Sequence, residues 1–272
     1  MEQMIVKKVR SSAERETLML VVNRRKKHGV DFREVWYAED RCGLDGIILY
    51  RGAKKPIGKE LRKVRTLITD LTLSEEELVA KCQKDCRYQI RRADREGISA
   101  EFKMGAEISQ EDMDTFCRFF IDFWKSKGME AEKYEKYMEE IETYVREGVF
   151  ALTTAKRGDE VLVYHTYIVG DTFVRSYQSA SCFRDGDRQF QRVVGIANRY
   201  LHKADMMYFK EMGKTTYDWG GAGLREEVKN ITEFKESFGG EELYYYDCED
   251  VVGLKAEAVK GLINLVGMLT DD

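Results

Sequence analysis

The sequence predicts an α/β chain of the α+β kind, in which a mixed central sheet is flanked by helices and preceded by a small N-terminal α/β extension. The main observation is the order of elements after residue 97, which is β-α-α-β-β-β-α-β-α-β. The second is size, because 272 residues with 43% hydrophobic side chains can bury a full core. We expect an extension over residues 1–72, a core over 73–250 and a C-terminal helix over 251–272.

The extension is predicted from weaker signals. Residues 4–9 and 44–50 are typical of strands, and a helix is expected around Glu14–Lys27. The loop over residues 52–60 holds the one proline of the chain and closes the extension. A strand is expected at 63–72, where the core begins.

A single helix is predicted over residues 73–97. Ser74 and Glu77 form a capping box at its start, and Gly97 ends it. One side of this helix carries a basic stripe made of Lys84, Arg87, Arg91 and Arg95. Such a stripe is either a solvated face or a phosphate-binding surface, and the spacing alone favours the solvated face.

The remaining core elements follow from periodicity and glycine punctuation. They are a strand at 98–104, helices at 111–128 and 131–148, three antiparallel strands within 149–181, a long helix at 187–213, a strand at 215–221, a short helix at 230–240 and a strand at 241–250.

Composition excludes several classes of protein. No run of about 18 apolar residues occurs and the first residues do not resemble a signal peptide, so we expect a cytoplasmic protein. The six cysteines form no CxxC and no metal-ligand grouping with the three histidines, which predicts free thiols and no bound metal.

The net charge of −4 hides an asymmetry. Residues 1–95 carry 23 basic against 15 acidic side chains, a net charge of +8, and the rest of the chain is acidic. A basic first third can attract a polyanion such as a nucleotide, a CoA or an RNA.

One motif suggests where phosphates would bind. Arg192, Gly195, Ile196 and Ala197 fit the pattern R-x-x-G-x-A, which we expect at the start of the long helix. Free N–H groups and the positive end of the helix dipole suit a pyrophosphate there. The alternative is that the small residues serve close helix packing.

Three segments together carry a family resemblance: YQIRRADREG at 88–97, YDWGG at 217–221 and FKESFGG at 234–240. In this order they resemble the FemABX-like branch of the GNAT (acyl-CoA N-acyltransferase) superfamily, over residues 75–246. The resemblance implies a GNAT-like fold and an enzyme that transfers an acyl group from acyl-CoA, or an aminoacyl group from aminoacyl-tRNA, to an amine acceptor, often a cell-wall or peptide-like precursor. The R-x-x-G-x-A motif favours acyl-CoA slightly.

The resemblance also points to catalytic residues. Lys235 projects from the apolar face that Phe234 forms on the short helix, and the resemblance implies that this lysine stabilises charge on the attacked carbonyl. Asp218 would position the amine or Lys235. The alternative for Lys235 is a snorkelling surface cation. Glycines after Trp219 would open the substrate cleft.

Histidines supply the remaining candidates. His165 lies on an apolar strand face and is the first candidate for a general base, or else a hydrogen-bonded core residue. His202 and Asp205, three residues apart on the long helix, are expected to pair. The candidate substrate-binding residues are Phe234, Trp219, Tyr177, Ser179, Arg184, His202 and Arg91. The rival functions are a catalytically silent binding module and an RNA-binding protein.

Overall fold

The computed structural model describes residues 20–128 and 131–270. The chain divides into two compact units. The central unit is Thr66–Glu242, and the terminal unit comprises the residues before and after it. The sequence places the core at 73–250, so the central unit begins and ends a few residues earlier than that range.

The terminal unit is built on strands. β1 (Leu20–Lys27) and β2 (Val30–Trp36) form a hairpin, β3 (Gly46–Ala53) lies parallel to β2, and β10 (Glu241–Val252) lies antiparallel to β3. The first half of β4 (Lys59–Asp70) neighbours β10, and the helix α7 (Leu254–Thr270) packs on β2 and β3.

The expected helix at 14–27 is wrong where the structure describes it, because residues 20–27 form β1. His28 and Gly29 both have positive φ, and this two-residue turn matches the twist of a hairpin, which favours strands on either side. The strand expected at 4–9 and the start of that helix lie outside the described residues.

The central unit confirms the predicted mixed sheet flanked by helices. Its strands lie in the order β4, β9, β8, β7, β6, β5. The strands are β5 (Ile98–Met104), β6 (Phe150–Arg157), β7 (Glu160–Val169), β8 (Phe173–Ser181) and β9 (Thr216–Gly221). The helices are α1 (Glu75–Lys81), α2 (Lys84–Arg92), α3 (Gln110–Ser126), α4 (Ala131–Arg146), α5 (Arg188–Glu211) and α6 (Lys229–Glu236).

The helix predicted over 73–97 is two helices. The capping box of Ser74 and Glu77 and the left-handed Gly97 are confirmed, but Cys82 and Gln83 are extended and break the helix. The break has a tertiary cause, because the Gln83 N–H donates to the Ser237 carbonyl over 2.8 Å. No local sequence signal marks a break that a contact with a distant segment holds.

The core of the central unit is rich in large aromatic side chains. Trp219, Tyr217, Tyr167 and Phe209 are each 0% exposed and pack in one cluster with Phe238. The indole N–H of the tryptophan donates to Thr69 Oγ1 over 2.9 Å, so its polar atom is also satisfied. Strand β9 is therefore held by the packing of its aromatic side chains and by the hydrogen bond to Thr69.

The parallel pairing of β8 with β9 is short. It covers Phe173–Arg175 against Thr216–Asp218, and beyond these residues β8 pairs only with β7. We call the resulting gap the splay. Gly220 lies at its edge with φ of +72°, and a Cβ there would come within 2.8 Å of the Ser176 carbonyl oxygen. A glycine is therefore required where the two strands part.

Two further observations bear on the predicted environment. No helix in the described parts of the chain combines the length and apolarity that a membrane span requires. All six cysteines are free thiols, and four of them are buried: Cys42, Cys82, Cys86 and Cys248.

Candidate active site

An ion pair marks the point where β8 and β9 part. Arg175 and Asp218 form the last register pair of the two strands, and the guanidinium donates to the carboxylate. Asp218 is 0% exposed and also accepts from the Thr66 hydroxyl and, over 2.8 Å, from the Gly220 N–H. The carboxylate thus ties β4, β8 and the end of β9 together.

Lys235 brings a second cation to the splay. It lies in the last turn of α6, and its Nζ donates to the Gly221 carbonyl over 2.8 Å. The same Nζ lies 3.9 Å from where a Cβ on Gly220 would stand. Lys235 therefore lies beside the last residues of the YDWGG segment, and its place in a substrate cleft stays a prediction.

The environment weakens the hold of Lys235 on its proton. Burial lowers the pKa of its ammonium to about 8, with Arg175 adding repulsion while Asp218 acts in the opposite direction. At pH 7 the group is still mostly the cation. A partly buried ammonium near its pKa is typical of a functional site more than of a solvated surface.

A chain of five buried polar side chains lies between the sheet and α5; we call it the buried relay. The Nδ1 of His202 lies 2.9 Å from the Tyr217 hydroxyl, which lies 2.8 Å from the Tyr167 hydroxyl. The Tyr167 hydroxyl donates to Asp205, whose Oδ2 also lies 2.8 Å from Nδ1 of His165. Burial raises the pKa of both tyrosines well above the ordinary value, so both remain hydroxyls.

The relay corrects the expected pairing of His202 with Asp205. Asp205 is paired with His165 and Tyr167, and His202 is paired with Tyr217. The two histidine rings instead stack, with centroids 3.9 Å apart. A spacing of three residues on one helix allowed the pair, but partners on β7 and β9 hold the two groups apart.

The role of general base expected for His165 does not fit its surroundings. Its ring is 0% exposed, Nδ1 faces Asp205, and Nε2 lies 2.9 Å from Oδ1 of Asn198. Both nitrogens are therefore engaged inside the fold, and no substrate atom can reach them without breaking these contacts.

His165, His202 and Asp205 are close enough to be tested as a metal site, since one ligand atom from each lies within 4.8 Å of the others. The two rings stack at an interplanar angle of only 29°. Lone pairs lie in the ring planes, so two nearly parallel rings direct them side by side instead of towards one ion. The donor set does not fit a tetrahedral metal.

The R-x-x-G-x-A motif does not lie at the start of the helix, so that prediction is wrong. α5 begins at Arg188 with Asp187 as its N-cap, which places Arg192 and Gly195 inside the helix, where backbone N–H groups are already bonded. At the true N-terminus the Phe190 N–H already donates to the carboxylate of Asp187, over 2.9 Å, so this capping bond occupies a donor that a pyrophosphate would need.

The small and apolar residues of the motif pack within the fold instead; they are Gly195, Ile196 and Ala197. Ile196 and Ala197 are buried in the core between α5 and the sheet, and α5 packs along α2. A Cβ on Gly195 would meet only Gln89, at 4.0 Å. The alternative of helix packing therefore describes these residues better than pyrophosphate binding does.

The predicted substrate-binding residues are brought together only in part. Trp219 and Phe234 lie against the ring of His202, at centroid distances of 4.8 and 5.6 Å. Arg184 lies exposed in the turn after β8, and Arg91 lies exposed on α2. The splay thus collects Trp219, Phe234 and His202 but neither arginine.

Tyr177 and Ser179 are separated by a bulge. Ser176 pairs with Tyr167 and Gln178 with Thr166, which leaves Tyr177 as the extra residue of β8. Its hydroxyl donates to Glu140 of α4 over 2.5 Å, whereas Ser179 lies opposite His165. The expected acceptor pocket that joins both side chains is therefore not formed.

Sequence reasoning missed several residues of the site. Arg175 had one usable signal, since a charged residue inside a strand of apolar neighbours has to find a partner. Thr66, Tyr167 and Tyr217 had none, because hydroxyl-bearing side chains are ordinary strand residues. Their roles depend on which strands become neighbours.

No protein-family model matches the chain, and no curated protein matches it in sequence. Among solved structures, FemX is similar with a TM-score of 0.54 and 15% identity, over 73% of this chain and 63% of FemX. The chain therefore spans less than two thirds of the length of FemX. At 15% identity this likeness shows a shared fold with FemX, which agrees with the fold that the sequence predicts.

Two further structures score lower. L-PGS from Bacillus licheniformis has a TM-score of 0.45 and 13% identity, over 79% of this chain and 71% of its own. N-myristoyltransferase of Saccharomyces cerevisiae with bound myristoyl-CoA has a TM-score of 0.39 and 10% identity, over 85% of this chain and 63% of its own.

The ion pair predicts that Asp218→Asn lowers stability. The asparagine keeps the shape but removes the negative charge that faces Arg175, whose side chain is 15% exposed. We expect a loss of about 2–4 kcal/mol in the free energy of unfolding, measured by urea denaturation. A change below about 0.5 kcal/mol would show that the pair does not hold the splay.

For Lys235 we expect a substitution to raise the free energy of unfolding instead of lowering it. Lys235→Met removes a partly buried cation and keeps the apolar stem, so we expect a stability gain at pH 7 of about 1 kcal/mol. The pKa of Lys235 is about 10.5 in the unfolded chain and about 8 in the folded one. The stability of the native protein therefore rises as pH increases from about 8 to about 10.5, and the stability gain of Lys235→Met shrinks over the same range.

Urea denaturation of the Lys235→Met variant at pH 7 and pH 10 measures this difference. The matched control is Lys229→Met on the same helix. The Lys229 side chain is 55% exposed, so this variant should change stability by less than about 0.5 kcal/mol. A loss of stability at pH 7 in Lys235→Met alone would contradict the pKa assigned to Lys235.

Proposed function

We propose that this chain is an N-acyltransferase that moves an acyl or aminoacyl group from an activated donor to an amine acceptor. The observation that carries the proposal is the partly buried ammonium of Lys235 at the splay, beside the backbone of Gly220 and Gly221. The shared fold with FemX supports it. A catalytically silent binding module would have no need of a partly buried cation at the splay.

Lys235 has the geometry to stabilise an oxyanion. Its ammonium has three N–H donors, and the Gly221 carbonyl takes one of them. The other two can donate to the carbonyl oxygen of a donor bound in the splay. As an amine attacks that carbonyl, negative charge develops on the oxygen, and a cation already in place costs no reorganisation.

Asp218 acts on this chemistry indirectly. Its carboxylate is occupied by Thr66, Arg175 and Gly220, so it holds the strands and the turn in position. Its negative charge also favours the protonated form of Lys235. We therefore assign Asp218 as a positioning residue and do not place it in contact with the amine.

The donor we propose is aminoacyl-tRNA, with acyl-CoA as the competing donor. The motif that favoured CoA lies inside α5, where its backbone N–H groups are already bonded, so it no longer favours that donor. An exposed aromatic surface on α2 suits a nucleic acid better. Tyr88 is 52% exposed, and a hydrogen bond from Arg92, with the charges of Arg192 and Arg95, lowers the pKa of its hydroxyl.

We call these four residues the tyrosine–arginine surface. A base can stack on an exposed tyrosine ring, and separate guanidinium groups can neutralise successive phosphates. This surface does not contain the same residues as the basic stripe expected on this helix. Arg87, a member of that stripe, donates to the carbonyls of Ala80 and Cys82 at the end of α1. Arg87 therefore serves the fold more than it serves a ligand.

The first test is transfer itself. We would incubate the protein with charged tRNA or acyl-CoA and a panel of amines, and detect the acylated amine by mass spectrometry. Lys235→Met should lower kcat by about 10²–10³, while Lys229→Met retains the native rate. The native rate should also fall as pH rises through about 8, because Lys235 then loses its charge.

Near-native transfer by Lys235→Met would remove the lysine from the mechanism. Absence of transfer by the native protein with every donor and amine would instead favour the binding module.

The donor is tested by salt dependence. Charged tRNA should bind with a steep loss of affinity as salt rises, and Arg92→Ala/Arg192→Ala should flatten the logarithmic slope by about one unit for each phosphate that is no longer neutralised. Lys125→Ala, an exposed lysine on α3, is the control. Unchanged tRNA binding in the double variant, together with saturable binding of acetyl-CoA, would overturn the tRNA proposal.

A further inference from the structure

The hydrogen bonds of the buried relay have a direction. A carboxylate only accepts, so the Tyr167 hydroxyl donates its proton to Asp205 and its oxygen accepts from the Tyr217 hydroxyl. The Tyr217 oxygen must then accept from Nδ1 of His202. The relay therefore fixes the neutral ring of His202 in the form that carries its proton on Nδ1.

This tautomer leaves Nε2 of His202 with a free lone pair. Burial, followed by the charges of His165, Lys235 and Arg199, holds the pKa of His202 well below its ordinary value. The ring is therefore neutral at pH 7. Burial disfavours the charged ring, while the relay supplies the hydrogen bond that a neutral ring needs at Nδ1.

The position of the ring suits contact with a substrate. Of the five relay residues, four are 0% exposed, and His202, at 4%, is the least deeply buried. Its ring lies against Trp219 of β9 and Phe234 of α6, the residue that precedes Lys235. His202 is thus the end of the relay that lies next to α6, the helix that carries Lys235.

We propose that Nε2 of His202 accepts the proton of the attacking amine, and that Tyr217, Tyr167 and Asp205 are positioning residues that keep this nitrogen unprotonated. The assignment rests on the proposed N-acyl transfer and names its base. It moves that role from His165, whose two nitrogens are engaged by Asp205 and Asn198, to the neighbouring ring.

The proton balance is simple. As the amine nitrogen bonds to the carbonyl carbon, its N–H proton moves to Nε2 of His202. When the tetrahedral intermediate collapses, the same proton passes to the departing oxygen of the tRNA ribose, or to the sulfur of a thioester donor. The imidazolium that exists between these steps donates from Nδ1 along the relay towards the carboxylate of Asp205, which stabilises it.

Nuclear magnetic resonance tests the tautomer without any substrate. The chain has only three histidines, His28, His165 and His202, so ring-nitrogen signals of the ¹⁵N-histidine-labelled protein can be assigned by substitution. We expect His202 to be protonated at Nδ1 and unprotonated at Nε2. Protonation at Nε2 in the native protein would overturn the proposal.

Kinetics test the catalytic role. Tyr217→Phe removes the acceptor for Nδ1–H, so the proton should redistribute towards Nε2, and kcat should fall at least tenfold with KM nearly unchanged. Tyr208→Phe, which removes a hydroxyl from a partly buried tyrosine packed on the same core cluster, should have neither effect. His202→Asn, which keeps a donor for Tyr217, should lower kcat by about 10²–10⁴.

The outcomes separate the two proposals. A native protein that transfers, with a Tyr217→Phe variant that shifts the tautomer and transfers equally fast, would overturn the role of His202 alone. Should Tyr217→Phe prove unfolded by circular dichroism, His202→Asn decides, and a native rate in that variant would overturn the proposal. Absence of transfer by the native protein would overturn the proposed function and this role with it.

Discussion

The three-residue pairing of β8 with β9 is the constraint on which the site depends. Parallel neighbours that stayed paired would bond their backbone groups to each other and leave no opening. The ion pair of Arg175 and Asp218 closes the paired part, and Gly220 allows the backbone to part from β8 directly after it. Beyond that pair Lys235 donates to the Gly221 carbonyl, and the ring of His202 packs on Trp219, the residue that follows the pair.

The two titratable side chains at the splay have environments that favour opposite charge states. Lys235 retains its proton at pH 7 because Asp218 partly offsets its burial, whereas the ring of His202 is buried deeply enough to stay neutral. One group can therefore donate to a developing oxyanion while the other accepts from an amine. The cost is borne by the fold, which has to keep a cation and a polar relay away from bulk water.

Much of the fold was predictable because it is encoded locally. The meander β6–β8, the long helix α5 and the capping box at Ser74 follow from periodicity and turn residues. Three features were not predicted. A contact with a distant segment causes the break at Cys82, a two-residue turn sets the β1–β2 hairpin, and pairing with β7 sets the bulge at Tyr177. For the site, the FKESFGG segment located Lys235, but the partners of His202 depend on which strands lie side by side, which no spacing along one helix reveals.

The central claim is that Lys235 is an ammonium group with a lowered pKa at the place where the donor binds. Competitive acetylation with trace acetic anhydride, followed by peptide mapping, measures the pKa and reactivity of each lysine at once. We expect Lys235 to titrate near pH 8 and to become protected by the donor that supports transfer, while the exposed Lys229 reacts equally with and without that donor. A Lys235 that titrates at the ordinary lysine value of about 10.5, or that reacts equally with and without that donor, would contradict the account.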